Sequence, residues 1–242
     1  MRVATWNLKF GQGTRAWRRF REAVAADLWF LQETLQPDVG GEVLWECAPG
    51  KPWGSAVVCG RGRVYPIPIR GYAGWVVGGR YGIDEVDRGA PLFTFSVHAP
   101  TAPKGEKQTD YVAEVRAIVS LILDAVPVGA TLLIGGDFNF RSLGTRATGE
   151  ALGTSPKERQ ALEEFRGRGL IPLWPSVHPG EPLPQTLRWT RNTVTPFHCD
   201  GFLLASALAT RASCEVHRSD DIVAASDHNP VVADLPTLKL QE

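Results

Sequence analysis

The sequence predicts an α/β fold in which strands outnumber helices, and three observations predict it. Apolar residues make up 43% of the chain, with eight Trp and ten Phe, enough to fill a sizeable core. Short β-rich runs recur between Gly and Pro along its whole length, and only a few stretches carry a helical period. The 242 residues show no internal repeat, low-complexity tract or long linker, so one domain over 1–242 is expected.

The elements follow in order. RVATWNL alternates and reads as a strand closed by Gly11 and Gly13. Thr14 can cap a helix whose Trp17, Phe20 and Val24 share a stripe, with Arg15, Arg18, Arg19 and Arg21 largely off it as a solvated face. LWFLQ, residues 28 to 32, reads as a buried strand arriving at Glu33. LWECA, SAVVCGR, GWVVGGR and LFTFSVHA read as further strands of an antiparallel or mixed sheet. Residues 108 to 126 form the best helix, with Val112, Val115, Val119 and Ile122 on one stripe and Pro127 ending it. The strand LLIGGDFNF comes next, then a Gly/Ser/Thr/Arg-rich loop over 141 to 155. A helix near PKERQALEEFRGRG and strands at TLRWT, DGFLLA, ATRASCEVHR and PVVADL complete the chain.

Charge and cysteine usage narrow the function classes. With 26 basic and 26 acidic residues, no global basic field announces nucleic acid or an anionic membrane. Cys47, Cys59, Cys199 and Cys214 show no CxxC pair or zinc-like spacing, and read as reduced thiols. There is no apolar signal core and no 18-residue apolar run, so a soluble cytoplasmic protein is expected.

Chemistry gathers where apolar strands end. Asn7, Glu33, His98, Asp137, Asn139, Asp200 and the pair Asp227-His228 all stand at such tips. In an extended chain side chains alternate, so Asp137 and Asn139 are expected on one side. If the sheets bring the tips to one mouth, hard oxygen ligands without thiolate suit Mg²⁺ or Mn²⁺.

The motifs TWN, LQE, GDFN, CDGFLLAS and SDHNPVV, in that order from residue 5 to 232, resemble the endonuclease/exonuclease/phosphatase superfamily. That superfamily includes deoxyribonuclease I, abasic endonucleases, inositol-polyphosphate 5-phosphatases and neutral sphingomyelinases. The resemblance implies a four-layer, deoxyribonuclease I-like sandwich: two packed mixed β-sheets flanked by helices, with the site at one end of the sheets. It also implies roles. Glu33 would be the main metal ligand, with Asn7 and Asp227 supporting the metal shell. Asp137 would orient or deprotonate the attacking water and Asn139 would donate to the phosphate. His228 would touch the phosphate with Asp200 fixing its tautomer. His98 would donate to a phosphate oxygen. Apart from the resemblance, Lys9 and Arg141 stand next to motif residues and could meet a flanking backbone phosphate, and Trp174 and Trp189, near the ends of the loop over 175 to 190, could stack on a base or fill the core.

Three positions depart from parts of the family. His98 stands where abasic endonucleases tend to carry tyrosine and Lys9 where they tend to carry an acid, two differences that point away from that branch, and His198 stands where relatives often have arginine. The expected activity is Mg²⁺- or Mn²⁺-dependent phosphodiester hydrolysis, with nucleic acid as substrate. The alternatives are a phosphomonoesterase or a lipid or inositol phosphoesterase, and a catalytically silent binding module on the same fold.

Overall fold

The computed structural model describes residues 1–10, 15–83, 91–100, 110–139, 156–188 and 197–236. Thr14, Arg141 and Trp189, singled out in the sequence, lie outside the described residues. One sheet contains β1 (Arg2–Asn7), β2 (Leu28–Thr34), β3 (Glu42–Cys47), β4 (Gly54–Cys59), β11 (Ser213–Val216) and β12 (Val231–Asp234), in the order β11-β12-β1-β2-β4-β3. The other contains β5 (Arg63–Pro66), β6 (Val76–Gly82), β7 (Leu92–His98), β8 (Thr131–Asp137), β9 (Leu170–Pro172) and β10 (Asp200–Ala205), in the order β5-β6-β7-β8-β10-β9. Both sheets are mixed. Each has one parallel pair, β1 with β2 and β7 with β8, and its other pairs are antiparallel.

A parallel pair needs a crossover long enough to carry a helix. Here α1 (Arg15–Val24) joins β1 to β2, and α2 (Tyr111–Ala125) joins β7 to β8. Asp110 caps α2, accepting from the Ala113 amide at 3.2 Å. α3 (Pro156–Gly167) starts at proline, whose missing N–H costs nothing in a first turn. The short helices α4 (Leu173–Val177), α5 (Ser206–Ala209) and α6 (Asp220–Ala225), with β5 and β9, add to the expected elements. Each spans six residues or fewer, too short to show a period.

Three apolar layers hold the four structural layers together. Leu28, Phe30, Leu133, Phe202 and Val231 pack between the sheets. Trp6, Trp17, Trp29, Leu31 and Ile222 fill the space under α1 and α6. Phe95, Ile118, Ile122, Ile134 and Phe165 fill that under α2 and α3. Strand alternation assigns the faces. In β1, Ala4 and Trp6 face the helices while Val3 faces the second sheet, as Thr5 and Asn7 do two and four residues on. In β8, Leu132 and Ile134 face the helices and Leu133 faces inward, on the row that ends at Asp137. The inward rows are apolar in their depth and polar at one end, which creates the site. Among the described residues no helix is long and apolar enough to cross a membrane.

Candidate active site

At that end Asn7 ties the two sheets together. Its Nδ2 donates to Glu33 Oε1 at 3.3 Å and to Asp137 Oδ2 at 3.0 Å, while its Oδ1 accepts the Lys9 amide at 3.1 Å. A carboxamide is the one small side chain that donates twice and also accepts, so Asn7 can serve both carboxylates at once. It is buried, as are His98, Asp137, Asp200 and His228.

Glu33 reaches this point by a backbone distortion. In β2, Leu28 and Phe30 face the second sheet and Trp29 and Leu31 face the helix layer, so alternation alone would send Glu33 to the helix side. Instead its φ is +47, and the pairing with β4 slips between Leu31 and Thr34. Such a bulge re-aims a side chain. The carboxylate ends 3.7 Å from His98 Nε2, with its side chain 25% exposed at the mouth. Burial raises its pKa against the pull of Asn7 and His228. Lys9, Phe10 and Asn139 also have positive φ, so four of the six such non-glycine residues described lie here. Left-handed backbone at ordinary residues concentrates at functional sites.

The expected parallel aim of Asp137 and Asn139 does not hold. The strand ends at Asp137, and Asn139 turns left-handed with φ +48. Its amide donates to Asp137 Oδ1 at 3.0 Å and its Nδ2 to the Ala99 carbonyl at 3.0 Å. Asn139 therefore braces Asp137 and the end of β7.

Asp200 and His228 meet across the sandwich, with Nδ1 of His228 2.9 Å from Asp200 Oδ2 and its Nε2 3.8 Å from Asp137 Oδ2. Burial alone would lower the His228 pKa, but Asp200 and Asp137 override it and raise it to about 10. Burial and the Asp200 charge push Asp137 up to about 7. His98 behaves oppositely: burial, with the His228 charge adding to it, holds it down at about 3, so the ring is neutral. Its Nδ1 is buried without a hydrogen-bond partner among the described residues, and its Nε2 lies 3.7 Å from Glu33 and 4.0 Å from Asp137. Nε2 is the nitrogen that faces the two carboxylates, so the proton of the neutral ring is assigned there, toward the mouth.

Several supporting groups carried no role in the sequence reading. Ser226 Oγ donates to the Asn7 carbonyl at 2.7 Å and accepts the His228 amide at 3.0 Å, while Trp6 Nε1 donates to the His228 carbonyl at 3.1 Å. Thr186 Oγ1 accepts the amides of Cys199 at 2.8 Å and Asp200 at 3.1 Å. Gln32 donates to Ser96 Oγ at 3.0 Å, joining the sheets below Glu33. Trp6, Gln32 and Ser226 belong to the quoted motifs, which was the available signal; Thr186 and Ser96 carried none.

Other candidates are placed differently. Lys9 Nζ lies 2.5 Å from Asp227 Oδ2, so each is engaged by the other. His198 is buried, with Nδ1 2.8 Å from the Pro184 carbonyl, and burial lowers its pKa. Trp174, at the other end of the loop from Trp189, stacks on His178 at 4.0 Å and is half-buried. Asp137, Asp200 and His228 offer ligand atoms within 4.8 Å of one another and could hold a metal ion, a set different from the expected Glu33, Asn7 and Asp227.

Comparison with solved structures gives the same fold. The catalytic domain of APE2 from Xenopus laevis matches with a TM-score of 0.68 at 18% identity, over 97% of this chain and 91% of that one. The AP endonuclease LMAP from Leishmania major matches at 0.66 and 18%, over 96% and 86%. An AP endonuclease from Archaeoglobus fulgidus matches at 0.68 and 15%, over 98% and 100%. No curated protein matches by sequence. Residues 4–228 match the family model described as Endonuclease/Exonuclease/phosphatase family, and with the sandwich and its polar mouth already in view, the chain belongs to that family.

Proposed function

We propose that the protein is a divalent-metal-dependent phosphodiester hydrolase acting on nucleic acid. The observation that carries this reading is the meeting of Asn7, Glu33, His98, Asp137, Asp200 and His228 at one mouth, linked by contacts of 2.9 to 4.0 Å. The structural neighbours named as AP endonucleases make DNA the first substrate to test.

The donor set fits a hard cation. Glu33, Asp137, Asp200 and Asp227 crowd together, and Asn7, His228 and Lys9 only partly offset them. Between the two candidate ligand groups, we favour Glu33 with Asn7 and Asp227 for Mg²⁺ or Mn²⁺. Glu33 carries the choice: its carboxylate is partly exposed at the mouth, whereas Asp200 is fully buried against His228; Asp227 would have to share its charge with Lys9. A bound ion would supply Lewis-acid stabilisation of charge on the phosphoryl oxygens.

The chain's own residues supply the rest. Asp137, raised to about 7 by burial and Asp200, is matched to taking a proton from water near neutral pH. The Asn139 amide and Asn7 Nδ2 fix both of its oxygens. His228, kept charged by Asp200 and Asp137, presents Nε2–H to a phosphoryl oxygen, and the neutral His98 presents a second donor. The free thiols Cys47, Cys59, Cys199 and Cys214 agree with a reducing compartment such as the cytoplasm.

The test is cleavage of plasmid and oligonucleotide DNA and RNA with Mg²⁺ or Mn²⁺ and with EDTA. Metal-dependent strand cleavage is expected. Release of inorganic phosphate from monoesters without strand cleavage would reassign the substrate, and full activity in EDTA would remove the metal.

A further inference from the structure

Beside the mouth runs an open groove of about 540 Å³, lined by Lys9, Gln185, Arg188, Arg218, Ser226 and Asp227. Arg188 is 9% exposed. Its Nη1 donates to Asn229 Oδ1 and its Nη2 to the Ser226 carbonyl, both neutral acceptors. Among the described residues no carboxylate forms an ion pair with it. Asp227, whose charge favours the guanidinium, is taken by Lys9 at 2.5 Å. Burial and the neighbouring Arg218 charge both oppose the protonated state of Arg188.

A buried charge is costly unless a counter-charge meets it, and two carbonyl acceptors use only part of a five-donor fork. The molecule thus holds a largely covered cation beside a second, exposed one, on a wall that continues into the site. The Arg188 amide donates to the Asp227 carbonyl at 2.7 Å, so this cation is fixed to the segment that carries His228. We infer that Arg188 and Arg218 form an anion subsite for a phosphodiester of the same strand flanking the one being cleaved. The assignment rests on the nucleic-acid reading above. A planar guanidinium suits a phosphate's paired oxygens, and a second cation at the groove's rim completes the pair. Lys9, chosen from sequence for this duty, is instead neutralised by Asp227.

The experiment measures binding of a fluorescent single-stranded oligonucleotide in EDTA, at several salt concentrations from roughly 50 to 200 mM. Arg218→Gln and Arg188→Gln are compared with wild type and with Arg61→Gln, whose position beyond β4 lies at the opposite end of the sheets. Each groove variant is expected to bind several-fold more weakly and to lose about 0.7 units of log–log salt slope, one phosphate contact on a single strand. Arg61→Gln is expected to keep both. Unchanged slope and affinity in the groove variants, an equal loss in Arg61→Gln, or no oligonucleotide binding by wild type overturns the subsite. Arg188 also braces the loop before His228, so its variant is checked by thermal melting; the exposed Arg218 carries the test if Arg188→Gln unfolds. Binding without cleavage in Mg²⁺ or Mn²⁺ would remove the catalytic reading and leave the subsite standing. Cleavage with unaltered slopes would do the reverse.

Discussion

His228 Nδ1 lies 2.9 Å from Asp200 Oδ2, and the two residues reach this contact from opposite sheets: Asp200 opens β10, and His228 precedes β12. The imidazole is held by a carboxylate it could not meet unless the sandwich were closed.

If the pair acts as one unit, removing either member removes most of what both supply. Asp200→Asn combined with His228→Ala is expected to lower kcat/KM little beyond the worse single variant. Steady-state rates of the three variants check this. Fully multiplicative losses would mean that they act separately.

Glu33→Gln keeps an oxygen for the Asn7 amide and discards the charge. Activity is expected to fall by about two orders of magnitude or more, and added metal is not expected to restore it at wild-type concentrations. Burial disfavours the Glu33 charge, so the melting temperature without metal is expected to hold or rise. Rate against metal concentration, with a thermal melt in EDTA, measures both.

Stability in EDTA is expected to carry a His98 signature. Its folded pKa of about 3 lies below the roughly 6.5 of an unfolded histidine, so between those values the unfolded chain binds more protons. The contribution is complete above about pH 6.5 and is lost as pH falls toward 3, at up to about 1.4 kcal/mol per pH unit. Asp137, raised to about 7, works in the opposite direction over part of that window, so the comparison is wild type against His98→Gln. Denaturant titrations from about pH 7 to 4.5 are expected to show a flatter acid limb in the variant.

Thr186→Val preserves shape and deletes the oxygen that accepts from Cys199 and Asp200. Two buried amides would then stand unpaired, at about 1 to 3 kcal/mol each. Denaturant unfolding is expected to show that loss, with a fall in kcat because Asp200 is no longer fixed.

Gly136→Ala tests the close approach of β7 and β8. A Cβ there would come 1.9 Å from the Val97 carbonyl oxygen, a backbone atom, one residue before His98 and Asp137. A cost of about 1 to 3 kcal/mol or more is expected, with activity reduced beyond the stability loss. Thermal melting and rates at matched folded fraction separate the two.

Much of this was legible because the inward rows of β1, β7, β8 and β10 obey alternation, so Asn7, His98, Asp137 and Asp200 could be read as polar ends of apolar strands. Glu33 and Asn139 obey no period: each is aimed by a left-handed backbone turn, so the place of Glu33 at a strand tip was legible but the direction of its side chain was not. Lys9 was legible as a cation near the mouth but not as the partner of Asp227, 218 residues away. The Arg188 groove joins three chain segments, and no local pattern encodes such a meeting.

The pairing of β1 between β12 and β2 has a consequence for the chain during its synthesis. Asn7 is made some two hundred residues ahead of its companions Asp200 and His228, and β1 lacks one neighbour until β12 emerges. A ribosome-bound fragment therefore cannot hold a finished catalytic mouth.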